Sequence, residues 1–401
     1  MNYQNIWQEK LSLLKQEQRY RKFLPLEKIY TTPYAAYNNK KIIDWSSNDY
    51  LGMGCNKESI KFMQNAVGKY GIGAGGTRNI SGTSKSIIEL EHTLAALHKK
   101  QAALVFTSGY VANQTCISTL GKVLDDLIIY SDTDNHASII QGIKQSKAKK
   151  FIFKHNDLAD LESIIAKHPI DAPKLIICES VYSMSGDIAP LKQLSAIAKK
   201  YNALLYVDEV HAVGLYGKTG AGIAEELDVT DIDIIQGTLG KAYGVIGGYI
   251  AGSKNMVDVI RSYGSGFIFT TALPPCLLEV VKFNIEYVTQ NQAELVGAQR
   301  QQVKYLKQLL TTANIPIHNS NSHIVIVNIP GGHRIENVAK ALLDNHNMYV
   351  QHINYPTVPH GKERLRIVVK PQHTNAMLDD LVTALKICLV KYPEKLTDTV
   401  N

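Results

Sequence analysis

Apolar and polar positions in the middle of the chain follow the pattern of a sheet covered by helices. Six short apolar runs lack the strict alternation of a half-exposed strand, which is typical of strands buried on both faces. Helical stretches such as 190–201 separate them. The runs are residues 127–132, 150–155, 174–180, 204–210, 233–238 and 247–253. This order predicts an α/β domain with a mainly parallel sheet.

The two ends of the chain follow other patterns. Apolar residues recur at helical spacing in the first 14 positions, which predicts an amphipathic helix there. After about residue 285, a long polar helix leads into strands and helices that are typical of a smaller α+β domain. We therefore predict an amino-terminal arm over residues 1–45, a large domain over residues 46–285 and a small carboxy-terminal domain over residues 286–401.

Composition excludes several classes of protein. Hydrophobic residues make up 45% of the 401 positions, yet no run approaches the ~20 apolar residues of a membrane span. Glu9 and Glu17 interrupt the amino terminus, so neither a secretory signal nor a mitochondrial presequence is predicted. Five scattered cysteines without a CxxC pair suit a reducing cytoplasm and argue against a metal site. The net charge of +7 is spread along the chain, so no nucleic-acid partner is expected.

A lysine among glycines is the first chemical feature. Residues 237–249 read GTLGKAYGVIGGY, with Lys241 just after an apolar run. A phosphate-binding P-loop needs a hydroxyl residue after the lysine and a glycine five positions before the second one. Ala242 and Ile235 stand at those positions. The P-loop interpretation therefore fails.

A second glycine-rich stretch, GIGAGG at residues 71–76, has the spacing of a dinucleotide fingerprint. That fingerprint needs a strand before it and a helix after it. A helical pattern precedes this stretch and a loop-like segment follows it. A dinucleotide-dependent oxidoreductase remains an alternative hypothesis, as does a binding protein without catalysis.

The other chemistry open to Lys241 is a Schiff base with a carbonyl cofactor, of which pyridoxal 5′-phosphate (PLP) is the commonest. Asp208 ends the buried run LLYVDEV, where its carboxylate could pair with the pyridine nitrogen. His211 follows it and could reach the phenolic oxygen of the cofactor. A turn or capping role for Asp208 and a structural role for His211 are the alternatives.

Further candidates follow other apolar runs. His136 could stack on the pyridine ring, and capping the next helix is its alternative role. The amides of Gly109 and Tyr110 begin a predicted helix, where they would face an anion. Thr238 and Ser183 add hydroxyl groups at two more strand ends. All of these positions converge on one edge of the predicted sheet.

Five segments together resemble the α-oxoamine synthases, the fold-type I PLP enzymes that condense an amino acid with an acyl-CoA. The likeness covers nearly the whole chain. The segments are NDYLG (48–52), GGTRNISGT (75–83), DEVHAVGLYG (208–217), GTLGKAYGVIGGYIA (237–251) and SGFIFTTALPP (265–275). The resemblance implies a seven-stranded, mainly parallel sheet and a cytoplasmic homodimer whose active sites lie between the subunits.

The resemblance also implies a role for each candidate. Lys241 would bond to PLP and move protons, Asp208 would pair with the pyridine nitrogen, and His136 would stack on the ring. His211 and Ser183 would reach the phenolic oxygen. The phosphate would be held by Ser108, Gly109, Tyr110 and Thr238, with Thr270 and Thr271 from the other subunit.

The implied substrates are glycine and succinyl-CoA. Arg366 would bind the glycine carboxylate, and Asn48 would help to place it. The succinyl carboxylate needs a cation of its own, for which Arg21 is the candidate. Thr77, Asn79 and Thr357 complete the implied substrate contacts. Sister activities that use acetyl-CoA with glycine or pimeloyl-CoA with alanine are the alternatives.

The chain departs from this family pattern at three places. VVKP follows RLRI where a Thr-Pro-rich segment is usual, His360 stands where arginine is common, and Ile87 replaces a frequent histidine. The first two lie on the segment that presents Arg366. They bear on glycine affinity and catalytic efficiency more than on the class of reaction.

Overall fold

The computed structural model describes residues 1–17, 19–29 and 31–394, so the last seven residues of the predicted small domain lie outside it. The described residues form two compact units. The large unit comprises Asn48–Ser183 and Asp187–Gly297. The small unit comprises Met1–Ser47, Met184–Gly186 and the chain from Ala298.

Fourteen strands and fourteen α-helices are assigned within the described residues. The strands are β1 (Glu27–Lys28), β2 (Tyr34–Tyr37), β3 (Lys40–Asp44), β4 (Ala102–Phe106), β5 (Ile128–Asp132), β6 (Lys149–Phe153), β7 (Lys174–Glu179), β8 (Leu204–Asp208), β9 (Ile234–Thr238), β10 (Gly248–Gly252), β11 (Ile324–Asn328), β12 (Met348–Tyr349), β13 (His352–Ile353) and β14 (Arg364–Val368). The helices are α1 (Tyr3–Gln16), α2 (Lys57–Tyr70), α3 (Lys85–Leu97), α4 (Gly109–Val123), α5 (Ala137–Ser146), α6 (Leu158–Ile165), α7 (Leu191–Lys200), α8 (Ile223–Glu226), α9 (Lys254–Tyr263), α10 (Ser265–Ile268), α11 (Pro275–Gln290), α12 (Gln292–Thr312), α13 (Gly332–His346) and α14 (Asn375–Lys391).

The large unit is built on a seven-stranded sheet in the order β4-β10-β9-β8-β7-β5-β6. Strand β10 runs in the opposite direction to the other six strands of this sheet. Strands β5, β7, β8 and β9 are buried almost throughout, as their continuous apolar runs predict. The predicted fold class, a mainly parallel α/β sheet of the fold-type I kind, is confirmed.

Helices pack on this sheet through small residues as well as large ones. A Cβ atom on Gly142 of α5 would lie 2.9 Å from Ile117 of α4, so only glycine allows the two helices to approach this closely. Ile117, Ile177 and Tyr206 belong to one buried cluster between helices and sheet. This core holds the carboxyl ends of the strands, and the loops that follow them, in fixed positions.

The small unit combines a three-stranded antiparallel sheet, β11-β14-β13, with a four-stranded sheet, β1-β2-β3-β12. Its core gathers Trp45, Leu306, Ile367 and Leu381 from these sheets and the long helices. Trp45 stacks on His373 at a ring-centroid distance of 4.0 Å. Burial lowers the pKa of His373 to about 3, so this ring is neutral and serves packing.

The predicted amino-terminal helix is present as α1, with the Asn2 side chain accepting from the amides of Gln4 and Asn5. It buries no residue in the protomer, and Trp7 is 57% exposed. The five cysteines are unbridged. Within the described part of the chain, no helix has the combined length and apolar character that crossing a bilayer requires.

Candidate active site

Asp208 is the last residue of β8 and is almost fully buried. Its Oδ2 accepts a hydrogen bond of 2.7 Å from the Asn113 side chain, and its Oδ1 accepts one of 2.9 Å from the Val210 amide. Burial raises the pKa of Asp208, although these hydrogen bonds and the charges of His136 and Lys241 act to lower it. A buried carboxylate of this kind gains most from a cationic partner.

Lys241 lies in the turn after β9, and its Nζ is 2.6 Å from Nε2 of His211. The other ring nitrogen, Nδ1, is 2.7 Å from the hydroxyl of Tyr50. That hydroxyl in turn donates to Oδ1 of Asn48 at 3.3 Å. The four side chains form a continuous hydrogen-bonded chain that begins at the amine. It brings two predicted residues of the cofactor site, Lys241 and His211, together with one predicted substrate residue, Asn48.

His136 caps α5, and its Nδ1 accepts from the Ser138 amide at 3.2 Å. The edge of the Tyr110 ring meets the His136 ring at a centroid distance of 6.4 Å. Burial lowers the pKa of His136, as does the charge of Lys241, whereas the charge of Asp208 raises it. The capping role and the stacking role, which the sequence left as alternatives, are compatible because the capping hydrogen bond to Nδ1 uses a lone pair in the plane of the ring, whereas stacking uses a face of the ring.

Glu179 ends β7 directly beside Asp208 in the sheet register. The backbone amides of His136 and Ser183, two predicted cofactor contacts, act to lower the pKa of its carboxyl group. Burial and the neighbouring Asp208 charge raise the pKa of Glu179 well above its usual range. The sheet edge thus pairs two buried acids that disfavour each other's ionisation.

The predicted phosphate contacts lie at the start of α4. Ser108 caps this 15-residue helix, and its hydroxyl accepts from the Val111 amide at 3.2 Å. Thr238, at the end of β9, is close: a Cβ atom on Gly109 would lie 3.8 Å from its Cβ. A Cβ atom on Gly248 would lie 2.3 Å from the Gly109 nitrogen, so β10 can pack this closely against the helix start only because it begins with glycine.

Thr270 and Thr271 follow α10 at a half-buried and an exposed position. Thr271 forms an isolated antiparallel bridge with Thr77, and the Ala272 amide donates to the Gly76 carbonyl at 3.0 Å. Thr77 and Asn79, predicted for the substrate, therefore lie beside the two predicted phosphate contacts. Helix α2 ends directly before the GIGAGG stretch, so the strand that a dinucleotide fingerprint requires is replaced by a helix.

Three predicted substrate residues belong to the small unit. The Arg21 guanidinium is exposed and donates to the Thr357 hydroxyl at 3.5 Å. Arg366 is buried in the middle of β14, opposite Ile326 of β11. Of the departures from the family pattern, His360 stacks on Tyr355 at 4.2 Å, and Ile87 is a buried residue of α3 in the large unit.

Sequence reasoning missed three residues of this site: Tyr50, Asn113 and Glu179. Glu179 had a visible signal, because it is an acid at the end of an apolar strand that is the direct neighbour of the Asp208 strand in the sheet. Asn113 stands among the buried residues Ala112 and Cys116 of α4, where a polar side chain needs a partner. The contact of Tyr50 with His211 spans 161 positions and has no local signature.

Comparison with known proteins gives consistent results. The family described as aminotransferase class I and II matches residues 40–385. The chain is 48% identical over 385 residues to 5-aminolevulinate synthase of Rickettsia bellii, which covers 96% of this chain and 93% of that protein. Serine palmitoyltransferase of Sphingomonas wittichii has a TM-score of 0.89 at 28% identity, with 97% of each chain covered. A third relative is 8-amino-7-oxononanoate synthase of Francisella tularensis, with a TM-score of 0.75 at 26% identity, covering 88% of this chain and 98% of that one.

The family match spans most of the chain, and the high identity extends over nearly all of it. The likeness that the sequence motifs indicate is therefore confirmed. The chain belongs to the class I and II aminotransferase family and, within it, to the α-oxoamine synthases.

Proposed function

We propose that this chain is a 5-aminolevulinate synthase, a PLP-dependent acyltransferase that condenses glycine with succinyl-CoA and releases CoA and CO₂. One observation carries the proposal. A lysine amine, Lys241, is hydrogen-bonded to His211 at the same sheet edge as the buried carboxylate of Asp208, in a chain that is 48% identical to an enzyme of that name. Tetrapyrrole biosynthesis would be the destination of the product.

The residues present fit PLP. Asp208 is a buried carboxylate that accepts from a neutral amide and a backbone N–H, and a protonated pyridine nitrogen would give it a positive partner. The start of α4 offers backbone amides and the helix dipole to a phosphate. Thr238 lies beside Gly109 and adds a hydroxyl. When bound, PLP supplies an electron sink for the negative charge that develops on the α carbon of glycine.

The side chains of this protein supply the proton transfers. Lys241 Nζ takes the proton from the glycine α carbon and returns it later in the cycle. Asp208 holds the proton on the pyridine nitrogen. Glu179 stays neutral next to it, since two ionised acids at adjacent strand ends would repel each other.

The hydrogen-bonded chain orients the lysine. When Lys241 donates to Nε2 of His211, the proton of that ring is on Nδ1 and is donated to Tyr50. Tyr50 then donates to Asn48, so all three bonds run in one direction. This direction places a hydrogen-bond acceptor at the amine, which stabilises the ammonium form that the amine reaches when it takes the glycine proton.

Substrate recognition would use the residues that the family resemblance assigns to it. Arg21, with Thr357 beside it, offers a cation to the terminal carboxylate of succinyl-CoA, together with Thr77 and Asn79. Arg366 would bind the glycine carboxylate. These assignments rest on that resemblance and on the exposed position of the Arg21 guanidinium.

The protein would act as a homodimer. Apolar side chains stand exposed on the segments next to Thr271 and Thr77: Ile72, Ile80 and Phe269 are between 69% and 79% exposed. The apolar face of α1 also lacks a buried residue. Large apolar side chains this exposed are typical of surfaces that a partner covers. A dimer would cover it and bring Thr270 of the partner subunit to the phosphate.

The test is a panel of acyl-CoA and amino-acid substrates with the purified protein. Succinyl-CoA with glycine should give the highest kcat/KM, and borohydride should fix the visible chromophore on Lys241 in a peptide map. Arg21→Ala should reduce kcat/KM for succinyl-CoA and leave that for acetyl-CoA unchanged. Lys22→Ala, which removes a neighbouring exposed cation paired with Glu336, is the control. Faster turnover with acetyl- or pimeloyl-CoA would assign the chain to a sister activity, and a colourless protein would end the PLP proposal.

A further inference from the structure

His155 is a histidine that the proposed chemistry does not use, although it lies at the same sheet edge. It follows β6 by two residues, next to the end of β5. Its Nδ1 lies 2.9 Å from Oδ1 of Asp132, and its Nε2 lies 3.2 Å from Oδ2 of Asp187. The ring meets the face of Tyr182 edge-on at 4.3 Å. One imidazole thus connects the loops after β5, β6 and β7.

These partners require a charged ring. A carboxylate only accepts hydrogen bonds, so a bond at each nitrogen needs a proton on each. The side-chain amide nitrogen of Asn156 lies 3.3 Å from Nε2. The side-chain oxygen of Asn156 has no hydrogen-bond partner among the described residues. If the nitrogen and oxygen of this amide exchanged places, the oxygen would give Nε2–H a second acceptor. Burial lowers the pKa of His155. The hydrogen bonds to Asp132 and Asp187 and the charges of Asp132 and Asp134 together have the larger, opposite effect, so the pKa lies above its ordinary value. Asp132, Asp134, Asp187 and Tyr182 are the titratable groups that face this ring.

The first loop held in this way leads to His136. The side chain of Asp132 also accepts from the amides of Asp134 and Asn156, at 2.8 and 2.9 Å. It is 1% exposed and ends β5, four residues before His136. Any displacement of Asp132 is passed through this short, hydrogen-bonded segment to the ring predicted to stack on the cofactor.

The second loop carries Ser183. The Tyr182 amide donates to the Asp187 carbonyl at 2.9 Å, and Val181 bridges Ile188, so Asp187 is tied to the backbone next to Ser183. On the site side, the backbone amides of His136 and Ser183 both act to lower the pKa of Glu179, so the two loops meet near that carboxyl group. His155 joins the same two loops from outside the site.

We propose that His155 is a positioning residue. As a cation held between Asp132 and Asp187, it locks the segment that carries His136 against the segment that carries Ser183, and so sets where the ring of the cofactor lies. This inference rests on the proposed function for the identity of the cofactor, PLP, but not for the identity of the acyl donor. It adds a charged clamp, outside the cofactor contacts, to the residues on which the site depends.

The test compares His155→Gln and Asp187→Asn with His168→Gln. His168 is also a histidine beside this sheet, hydrogen-bonded to Tyr130 at 2.8 Å, but it precedes β7 at the opposite edge. Titration of the apoprotein with PLP should show affinity weakened by about tenfold or more in the first two variants, as for loss of a supporting partner at a functional site. The visible circular dichroism of bound PLP should change as well. His168→Gln should bind PLP as the wild type does, with a similar loss of Tm.

A direct measurement keeps the proposal falsifiable if a variant does not fold. In wild-type protein labelled with ¹⁵N-histidine, the His155 resonance should show both nitrogens protonated at pH 7, and PLP affinity should fall as that resonance titrates at higher pH. A neutral His155 at pH 7, or unchanged PLP affinity and circular dichroism in both clamp variants, overturns the proposal. A wild type that binds PLP but turns over another acyl-CoA would overturn the proposed function alone.

Discussion

The carboxyl and amino edges of the seven-stranded sheet both bury charged side chains, but their surroundings differ. At the amino edge, Lys174 donates to the carbonyls of Pro169, Ile170 and Ala172 at 2.6, 3.0 and 2.7 Å. Lys100 donates to two carbonyls before β9. All three donors of the Lys174 ammonium group are used by fixed backbone dipoles, so this charge serves the fold.

At the carboxyl edge, ionisable side chains lie next to one another. Asp208 and Glu179 lie side by side with raised pKa values, and Lys241 is hydrogen-bonded to His211. Such a cluster of perturbed ionisable groups is typical of functional sites. Burial of a charged side chain therefore does not itself indicate function. A functional site is indicated when the neighbours of the buried charge are themselves ionisable side chains and not fixed backbone groups.

The largest expected effect is from Lys241→Ala. Without the amine, no group takes the proton from glycine, so kcat should fall by roughly 10²–10⁴-fold, the usual contribution of general acid–base catalysis. The steady-state rate of CoA release measures this. Lys254→Ala, which removes an exposed lysine at the start of α9, should leave kcat unchanged. If Lys241→Ala keeps more than about a tenth of the wild-type rate, the amine does not carry the proton.

At the amino edge of the sheet, substitution of Lys174 should change the stability of the protein and not its catalysis. Lys174→Met removes three hydrogen bonds that a charged donor makes to backbone carbonyls, which should lower the free energy of unfolding by about 2–3 kcal/mol. Urea unfolding of the holoenzyme gives this value, and PLP affinity should stay as in the wild type. Lys150→Met, at an exposed position of β6, is the control. A loss of PLP affinity in Lys174→Met without a loss of stability would contradict the contrast between the edges.

A smaller effect is expected from Asn113→Ala. Asn113 donates to Asp208 and thereby lowers the pKa of that carboxyl group. Its removal should raise the pKa of Asp208 further. As the pH is lowered, Asp208 of the variant becomes protonated at a higher pH than Asp208 of the wild type does. Only the ionised carboxylate holds the pyridinium proton. The acid limb of the kcat profile should therefore move to higher pH, and turnover at a fixed pH on that limb should fall about tenfold when the limb moves by one pH unit.

A graded control comes from the next side chain. The Tyr206 hydroxyl donates to the Asn113 oxygen at 2.7 Å and so reaches Asp208 through Asn113. Tyr206→Phe should therefore move the acid limb less than Asn113→Ala does. The kcat profile of each variant, measured across the whole acid limb, gives the size of the change. An acid limb that moves to lower pH in Asn113→Ala would contradict the assigned role of the amide.

The parts of the site that sequence reasoning could find are those next to apolar strands. Asp208 and Thr238 are the last residues of β8 and β9, and Lys241 follows by three positions, so their shared edge follows from the parallel arrangement. Ser108 and Gly109 begin a helix that could be recognised by its cap and its periodicity. In each case the local chain already indicates where the side chain must be.

Tyr50, Asn113 and His155 show the other case. Tyr50 is a fully buried aromatic residue that the sequence presents as core, and only its contact with His211 distinguishes it. Asn113 lies inside a helix, and its partners Asp208 and Tyr206 are more than 90 positions away. His155 follows an apolar strand as Asp208 does, but nothing local reveals that two acids, 23 and 32 positions away, take its two nitrogens.

The sequence by itself determined the order of strands and helices, the class of fold, the family and the positions that follow strand ends. The elements and the strand ends depend on hydrophobic periodicity and on local backbone preferences, which act over a few residues, whereas the family follows from the resemblance of the quoted motifs. Only the tertiary structure decided which buried charges meet. That choice depends on which strands are neighbours and on which loops the core brings within hydrogen-bond distance, and the strength of each pairing depends on how completely water is excluded. The direction of the Lys241–His211–Tyr50 chain and the charge of His155 are therefore properties of the folded sheet edge.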